Sequence, residues 1–365
     1  MTTVFLTGFP GFLGSALVER LLERHDAETT VTCLIQSKYR EEAETRVDEI
    51  AADAEGDDEA VADRVRLVEG DITEGDLGLG DAYDELQADS LEVYHLAAIY
   101  DLTMDREPGK QVNIEGTRHV LDFAEGADVD RLHYVSTVVV SGLYEGRFTE
   151  EMLLEGQKFG NYYESTKHGA EVLVQERMDE IPTTIYRPGA AVGDSETGET
   201  QKYDGPYAFV ETLLDQGDYA VVPAPRGAGD AEFNVVPRDY VVDAIGYLSG
   251  IDESEGKVYH LADPDPPSTV ELIKTLGEAA GKKHTFVPPY PKGIVRGLLE
   301  SLDPEHELVK SGGFEFQTWG ASFDCSNALE DLEGSGIECP RFEEYAENLV
   351  EFYREHPEID DAAMT

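Results

Sequence analysis

The stretch Val4 to Gly14, VFLTGFPGFLG, decides the fold. Val4 to Leu6 reads as a short buried strand, Gly8, Gly11 and Gly14 punctuate a turn, and Leu13, Leu17 and Leu21 form one stripe of an amphipathic helix. A strand, a glycine-spaced turn and a helix make the layout that sets dinucleotide phosphates on a helix N-terminus, where backbone N–H groups and the helix dipole attract negative charge. Glycine allows the tight turn and the close backbone approach. Glycine-rich turns also serve purely structural ends, so the remainder of the chain has to decide between the two.

Outward from that turn, apolar strand-like runs recur at Thr29 to Ile35, Arg64 to Val68, Leu91 to Leu96, Arg131 to Val135 and Thr183 to Tyr186, with helical stretches between most of them. The alternation predicts an α/β chain with a parallel sheet covered on both faces and a ligand crevice at the carboxyl ends of its strands. Candidate site residues therefore stand just after each strand: Gln36-Ser37-Lys38, Asp71-Ile72, His95 to Ala98, Ser136-Thr137 and Arg187-Pro188-Gly189. The acidic stretch Asp53 to Asp63 reads as a solvated loop, and Ser268-x-x-Glu271 as a capping box.

Further along, YYESTKHGAEVLV places Tyr163 and Lys167 one helical turn apart, on one side of a helix. An unperturbed phenol has a pKa of about 10 and is a sluggish acid at neutral pH. A lysine ammonium about 4 Å away, at an effective dielectric of about 20, interacts with the phenolate by about 4 kcal/mol, which approaches three pKa units before lysine desolvation is subtracted. In isolation the spacing far more often describes an ordinary solvated pair.

The glycine turn, Asp71 and Tyr163-x-x-x-Lys167 stand in the order found in extended short-chain dehydrogenases/reductases, the family of NAD-dependent epimerases and dehydratases, which the chain resembles over nearly its whole length. The resemblance implies a Rossmann-type doubly wound parallel sheet with a smaller C-terminal substrate-binding domain. Residues 1–189 would form the nucleotide domain, with 233–250 returning to it, and 190–232 and 251–365 the substrate domain. It implies that Gly8, Gly11 and Gly14 hold the pyrophosphate, with amides from Phe12 and Leu13. Asp71 and Ile72 would flank the adenine, while Leu96, Ala97, Ala98, Pro188 and Gly189 would line the ribose and nicotinamide side. Thr137 matches the catalytic serine or threonine, with Ser136 the neighbouring candidate. Tyr163 would donate the proton and Lys167 would bind the ribose hydroxyls. Asn113, in QVNIEGTRHVL, would support the active-site backbone network or else be a satisfied surface amide. Arg187 and His260 read as structural.

Cofactor choice turns on the end of the second strand, where an acidic side chain would bind the adenosine ribose of NAD and repel a 2′-phosphate. Gln36, Ser37, Lys38 and Arg40 offer donors and two positive charges instead, which favours NADP. Lys38 and Arg40 could instead simply begin the next helix and face solvent, and because some family members place arginine where Gln36 sits, this chain's departure from that pattern keeps NAD open. GFLG, HLAAIYDL and RPGAAVGDSETGETQKYDGPYAFV are most similar to the thioester reductase and fatty acyl-CoA reductase branch, which implies reduction of an aldehyde or of an acyl thioester presented on coenzyme A or a carrier. A sugar-nucleotide epimerase or dehydratase and a steroid-like alcohol dehydrogenase share the frame. A non-catalytic dinucleotide-binding protein is the reading from another class, and the intact tyrosine and lysine oppose it.

Charge narrows the partners. Of 365 residues, 77 are Asp or Glu and 28 are Lys or Arg, a formal net charge of -49 that disfavours nucleic acid and anionic membranes. Carboxylates are spread through segments with clear apolar stripes, so disorder explains them poorly. A protein made for molar salt, where the Debye length is about 3 Å, explains them better. Cys33, Cys325 and Cys339 show no metal-ligand spacing and no disulfide framework. With no basic leader and no membrane-length apolar run, the expectation is a cytoplasmic protein with a small-molecule substrate, dimeric by family resemblance.

Overall fold

The computed structural model describes residues 3–53, 58–102, 104–302 and 317–359. Its centre is a seven-stranded, wholly parallel sheet made of β1 (Thr3–Thr7), β2 (Thr30–Ile35), β3 (Val65–Glu69), β4 (Ser90–His95), β5 (Arg131–Val135), β6 (Thr183–Pro188) and β7 (Val258–Leu261). The strand order is β7-β6-β5-β4-β1-β2-β3. Leu6 pairs with Cys33 on one side and Tyr94 on the other, so β1 sits where the winding reverses direction and a crevice opens beyond the carboxyl ends of β1 and β4. All five residues of β1 and all six of β6 are buried, as strands covered on both faces require, whereas edge strand β3 is only partly covered.

Each face has its own core. On one, α1 (Phe12–Arg24) contributes Leu17 and Leu21, and the helix Arg238–Leu248 contributes Val241 and Ile245. On the other, Val120 and Phe123 of Thr117–Ala127 pack with Ala170 and Val174 of Tyr162–Glu176. The helix Arg238–Leu248, within the 233–250 expected to return to the nucleotide core, packs on α1. The sheet continues past 250: Val258–Leu261 pairs with Ile185–Pro188, which corrects the boundary placed there. Four residues including His260 are too short a run to separate an inner strand from a peripheral one by pattern.

A third core joins Tyr207 and Leu213 of the helix Tyr207–Leu214, Leu272 and Leu276 of Thr269–Ala279, and Leu349 of Phe342–Glu355. The capping box forms as read: Ser268 Oγ accepts from Glu271 N at 3.3 Å, and a Glu271 carboxylate oxygen accepts from Ser268 N at 2.9 Å. The acidic loop expected over 53–63 is replaced at its flanks by the helices Arg40–Asp53 and Asp58–Ala62, because Ala43, Val47, Ile50, Val61 and Ala62 reach the core. Positions 54–57 of that stretch lie outside the described residues, as do 1–2, 103, 303–316 and 360–365 of the expected domains. Among the described residues no helix is long and apolar enough to cross a membrane.

Candidate active site

The glycine turn is packed to its limit. Gly8 has φ +104°, its carbonyl accepts from Gly11 N at 3.0 Å, and a Cβ at Gly14 would lie 2.4 Å from that same carbonyl oxygen. A Cβ at Gly8 would stand 2.9 Å from Ala97 N and from Leu96 Cβ, so the turn lies directly on the segment after β4. No side chain caps α1 and no acid occupies its first turn, which leaves the amides around Phe12 and Leu13 suited to an anion. The residues fit a dinucleotide pyrophosphate.

From this turn a chain of polar contacts runs inward. Ala97 N donates to Thr7 Oγ1 at 3.3 Å, and Thr7 Oγ1 lies 2.7 Å from His95 Nδ1. His95 Nε2 lies 3.0 Å from Thr117 Oγ1, which donates to Asn113 O at 2.7 Å. Because Thr117 spends its proton on that carbonyl, His95 carries its own on Nε2 and accepts from Thr7. Burial, with the Lys167 charge in support, lowers the His95 ring to about 3, so it stays neutral. Asn113 itself is buried in a widened π turn, Lys110–Gly116, which corrects the surface-amide alternative. Its Oδ1 accepts from Ile99 N at 2.8 Å and its Nδ2 donates to Thr166 Oγ1 at 3.0 Å, tying the loop after β4 to the helix that carries Tyr163.

At the end of β2, Gln36, Ser37, Lys38, Glu69, Asp71 and Glu74 line an open cleft of about 490 Å³. Gln36 Nε2 donates to Asp71 Oδ2 at 3.0 Å, and Asp71 Oδ1 accepts from Thr73 N at 2.8 Å. Lys38 Nζ lies 4.8 Å from the centre of the Tyr39 ring. Arg40 is half-buried and engaged elsewhere, donating to Glu69 at 2.5 Å and Glu44 at 3.4 Å. Ile72 turns its side chain into the core, where a Cβ on Gly116 would lie 2.7 Å from its Cδ1.

Tyr163 lies in the first turn of α2 (Tyr162–Glu176), whose N-cap Asn161 accepts from Glu164 N at 2.9 Å. The phenol is buried with the Thr137 hydroxyl beside it, whereas Ser136 turns away and donates to Glu171 Oε2 at 2.5 Å. The structure therefore brings Thr137, rather than Ser136, to Tyr163. The Lys167 amine donates to Val135 O at 3.0 Å and to Tyr134 Oη at 3.2 Å. Burial lowers it to about 8 against the opposing Glu171 charge. The expected depression of the phenol is reversed: burial raises Tyr163 well above its ordinary value, only partly offset by Thr137, because the bonds of Lys167 go to β5 and water is excluded from the phenolate.

Gly189 N donates to Leu261 O at 3.0 Å, and a Cβ at Gly189 would stand 2.8 Å from Asn234 Oδ1, so Pro188 and Gly189 pass closely between neighbours at the crevice. Three nearby residues escape a reading of the sequence. Tyr100 meets Tyr163 edge-on with ring centres 5.0 Å apart, Lys202 Nζ lies 4.7 Å from the centre of the Tyr100 ring, and Lys202 pairs with Asp204 at 3.1 Å. All three stand in stretches whose family likeness is legible, HLAAIYDL and GETQKYDG, but nothing in chain position shows that these loops meet over the phenol.

A parallel sheet wound about β1, a glycine turn opening α1, and a Thr–Tyr contact above a buried lysine define an extended short-chain dehydrogenase/reductase. Within that class the chain belongs to the Male sterility protein family of NAD-binding domains, whose profile matches residues 6–245. It is 30% identical over 292 residues to glycine betaine reductase ATRR of Emericella nidulans, a match covering 75% of this chain and 22% of that protein. It is 29% identical over 293 residues to aldehyde reductase lnaA of Aspergillus flavus, covering 75% of this chain and 27% of that protein. The chain thus spans well under half of these curated relatives. Among solved structures, the terminal R domain of the myxalamid PKS-NRPS pathway superposes with a TM-score of 0.82 at 29% identity, covering 98% of this chain and 91% of that one.

Proposed function

We propose that the protein is an NADP-linked reductase of acyl thioester or aldehyde carbonyls. The observation that carries the reading is the burial of Tyr163 and Lys167 together at the carboxyl end of β5, with the Thr137 hydroxyl beside the phenol and the Lys167 amine bound to Val135 O at 3.0 Å. A bound nicotinamide dinucleotide supplies the hydride. Thr137 and Tyr163 hold the carbonyl oxygen between their hydroxyls, so that charge developing there meets two donors already in place. Tyr163 keeps its proton in the free site, because burial disfavours the phenolate, and releases it to the oxygen as negative charge builds. Lys167 contributes the positive charge beneath it, and Asn113 fixes the loop that carries Ile99 and Tyr100. The relative named as an aldehyde reductase and the solved R domain support this substrate class.

Gly8, Gly11 and Gly14 would hold the pyrophosphate, and Ser37 and Lys38 the 2′-phosphate of NADP. A specific observation favours NAD as second reading: Glu69, Asp71 and Glu74 line the same cleft, and Arg40 is held by Glu69. Residues 190–232 and those after 262 would build the substrate pocket, with Lys202 and Asp204 at its wall. A cytoplasm of high salt and a homodimer complete the proposal. The deciding experiment is Tyr163→Phe, expected to lower turnover by about 10²- to 10⁴-fold with NADPH binding intact. Retained turnover overturns it.

A further inference from the structure

Ser136, Thr137 and Val135 are consecutive, and each is tied to a different turn of α2. Val135 O accepts from Lys167 Nζ, Ser136 Oγ donates to Glu171, and the Thr137 hydroxyl stands beside the Tyr163 phenol. The end of β5 is thus joined to three successive positions of one helix face, 163, 167 and 171. The outer tie at Tyr163 and the inner tie at Lys167 belong to the reaction described above; the third, at Glu171, has no part in it.

Glu171 is fully buried and so is its counterion. Arg187 donates to Glu171 Oε1 through Nη2 at 2.5 Å and through Nε at 3.0 Å, and Gln175 Nε2 donates to the same oxygen at 3.0 Å. Arg187 is fixed in turn by Glu150 O at 3.2 Å, Met152 O at 3.0 Å and His260 Nε2 at 3.0 Å. Burial holds the His260 ring at about 3, so it meets Arg187 as a neutral acceptor. Arg187 Nε also reaches Oε2 at 3.2 Å, so a guanidinium itself held on several sides fixes the whole carboxylate and with it the oxygen that grips Ser136.

We propose that Glu171, held by Arg187, is a positioning residue of this active site: through Ser136 it sets the Thr137 hydroxyl against Tyr163, and through its charge it keeps Lys167 protonated. The proposal rests on the reductase reading of the same site. Groups facing Lys167 from each packed element are Tyr134 of β5, the neutral His95 of β4, and Tyr163 and Glu171 of α2; Glu171 is the carboxylate among them, and Arg187 of β6 stands behind it. A displacement of Thr137 by a fraction of an ångström is enough to slow a reaction that requires its hydroxyl on the substrate oxygen.

Two variants separate the two effects. Ser136→Ala removes the grip and leaves the ion pair whole, so kcat should fall by about tenfold or more, with NADPH affinity within about twofold of wild type and no change in the alkaline limb of the pH profile. Ser136→Thr, which restores a hydroxyl, should recover most of the rate. Glu171→Gln removes the charge, and Lys167 should then titrate about one pH unit lower. That midpoint is read by 13C NMR of lysine-labelled protein, assigned with Lys167→Met, and requires no turnover; absence of wild-type turnover would overturn the reductase reading while this titration still decides the present one. Wild-type kcat in Ser136→Ala, or an unmoved Lys167 midpoint in folded Glu171→Gln, overturns the proposal. Should Glu171→Gln fail to fold, Ser136→Ala and its threonine rescue decide alone.

Discussion

Gly14→Ala should cripple the nucleotide turn, and the structure says by how much. The added methyl would lie 2.4 Å from Gly8 O and 2.8 Å from Gly8 C, whereas ordinary contact begins at 3.4 Å. Either the turn or the start of α1 must yield by about 1 Å. Gly8, at φ +104° and already against Leu96 and Ala97, has no room to retreat. Overpacking of this kind costs about 1–3 kcal/mol. If the strain is relieved by lifting the turn off the helix N-terminus, the cost appears in cofactor affinity as about a tenfold to hundredfold rise in Kd. Thermal unfolding and NADPH fluorescence titration, run side by side, divide the two. Gly217→Ala is the control, since nothing lies within 4 Å of a Cβ there, and its stability should stay within about 0.5 kcal/mol of wild type. A Gly14→Ala protein that both melts and binds NADPH as wild type does refutes the packing argument.

Other consequences are equally direct. Lys38→Ala should raise the KM for NADPH by about tenfold and leave that for NADH unchanged, and equal effects on both would overturn the 2′-phosphate assignment. Burial raises the Glu92 carboxyl, but the His133 ring at 3.6 Å and the Arg24 guanidinium at 3.1 Å more than offset it and hold it at about 2. Its folded value lies below the ordinary 4.5, so its contribution, on the order of 3 kcal/mol, is complete above pH 4.5 and lost as pH falls towards 2. Glu92→Gln should therefore be less stable than wild type at pH 7, with the gap closing between 4.5 and 2 in urea titrations; a constant gap would contradict it. With a formal charge of -49, transfer from molar to about 0.05 M salt should lower the melting temperature steeply, and an unchanged melting temperature would remove the high-salt reading.

How far the sequence reaches is clearest at Tyr163 and Lys167. Their spacing, their order behind the glycine turn and the identity of Thr137 are all legible, because each depends on local geometry or on a motif. Glu171 is within reach too, since it lies one helical turn beyond Lys167, but its partner Arg187 lies on β6 and only the sheet order brings them together. The same holds for β7, which four residues cannot announce, and for Tyr100 and Lys202, which meet across separate loops.

What no spacing encodes is how much water a group loses. An i, i+4 lysine reads as lowering the phenol, yet the fold buries both groups and directs the amine to Val135 O and Tyr134. Desolvation then acts on the pair in opposite senses, raising the phenol and lowering the amine to about 8. Both shifts favour the uncharged forms, so the free site holds a reluctant acid beside a reluctant cation. In the proposed reaction such a pair gains most from an oxygen that becomes negative beside the phenol and above the ammonium, since that charge stabilises the ammonium and draws the phenol's proton at once. In that proposed reaction, the burial that defeats the resting-state argument for an acidic tyrosine confines its acidity to the moment when a carbonyl oxygen acquires charge.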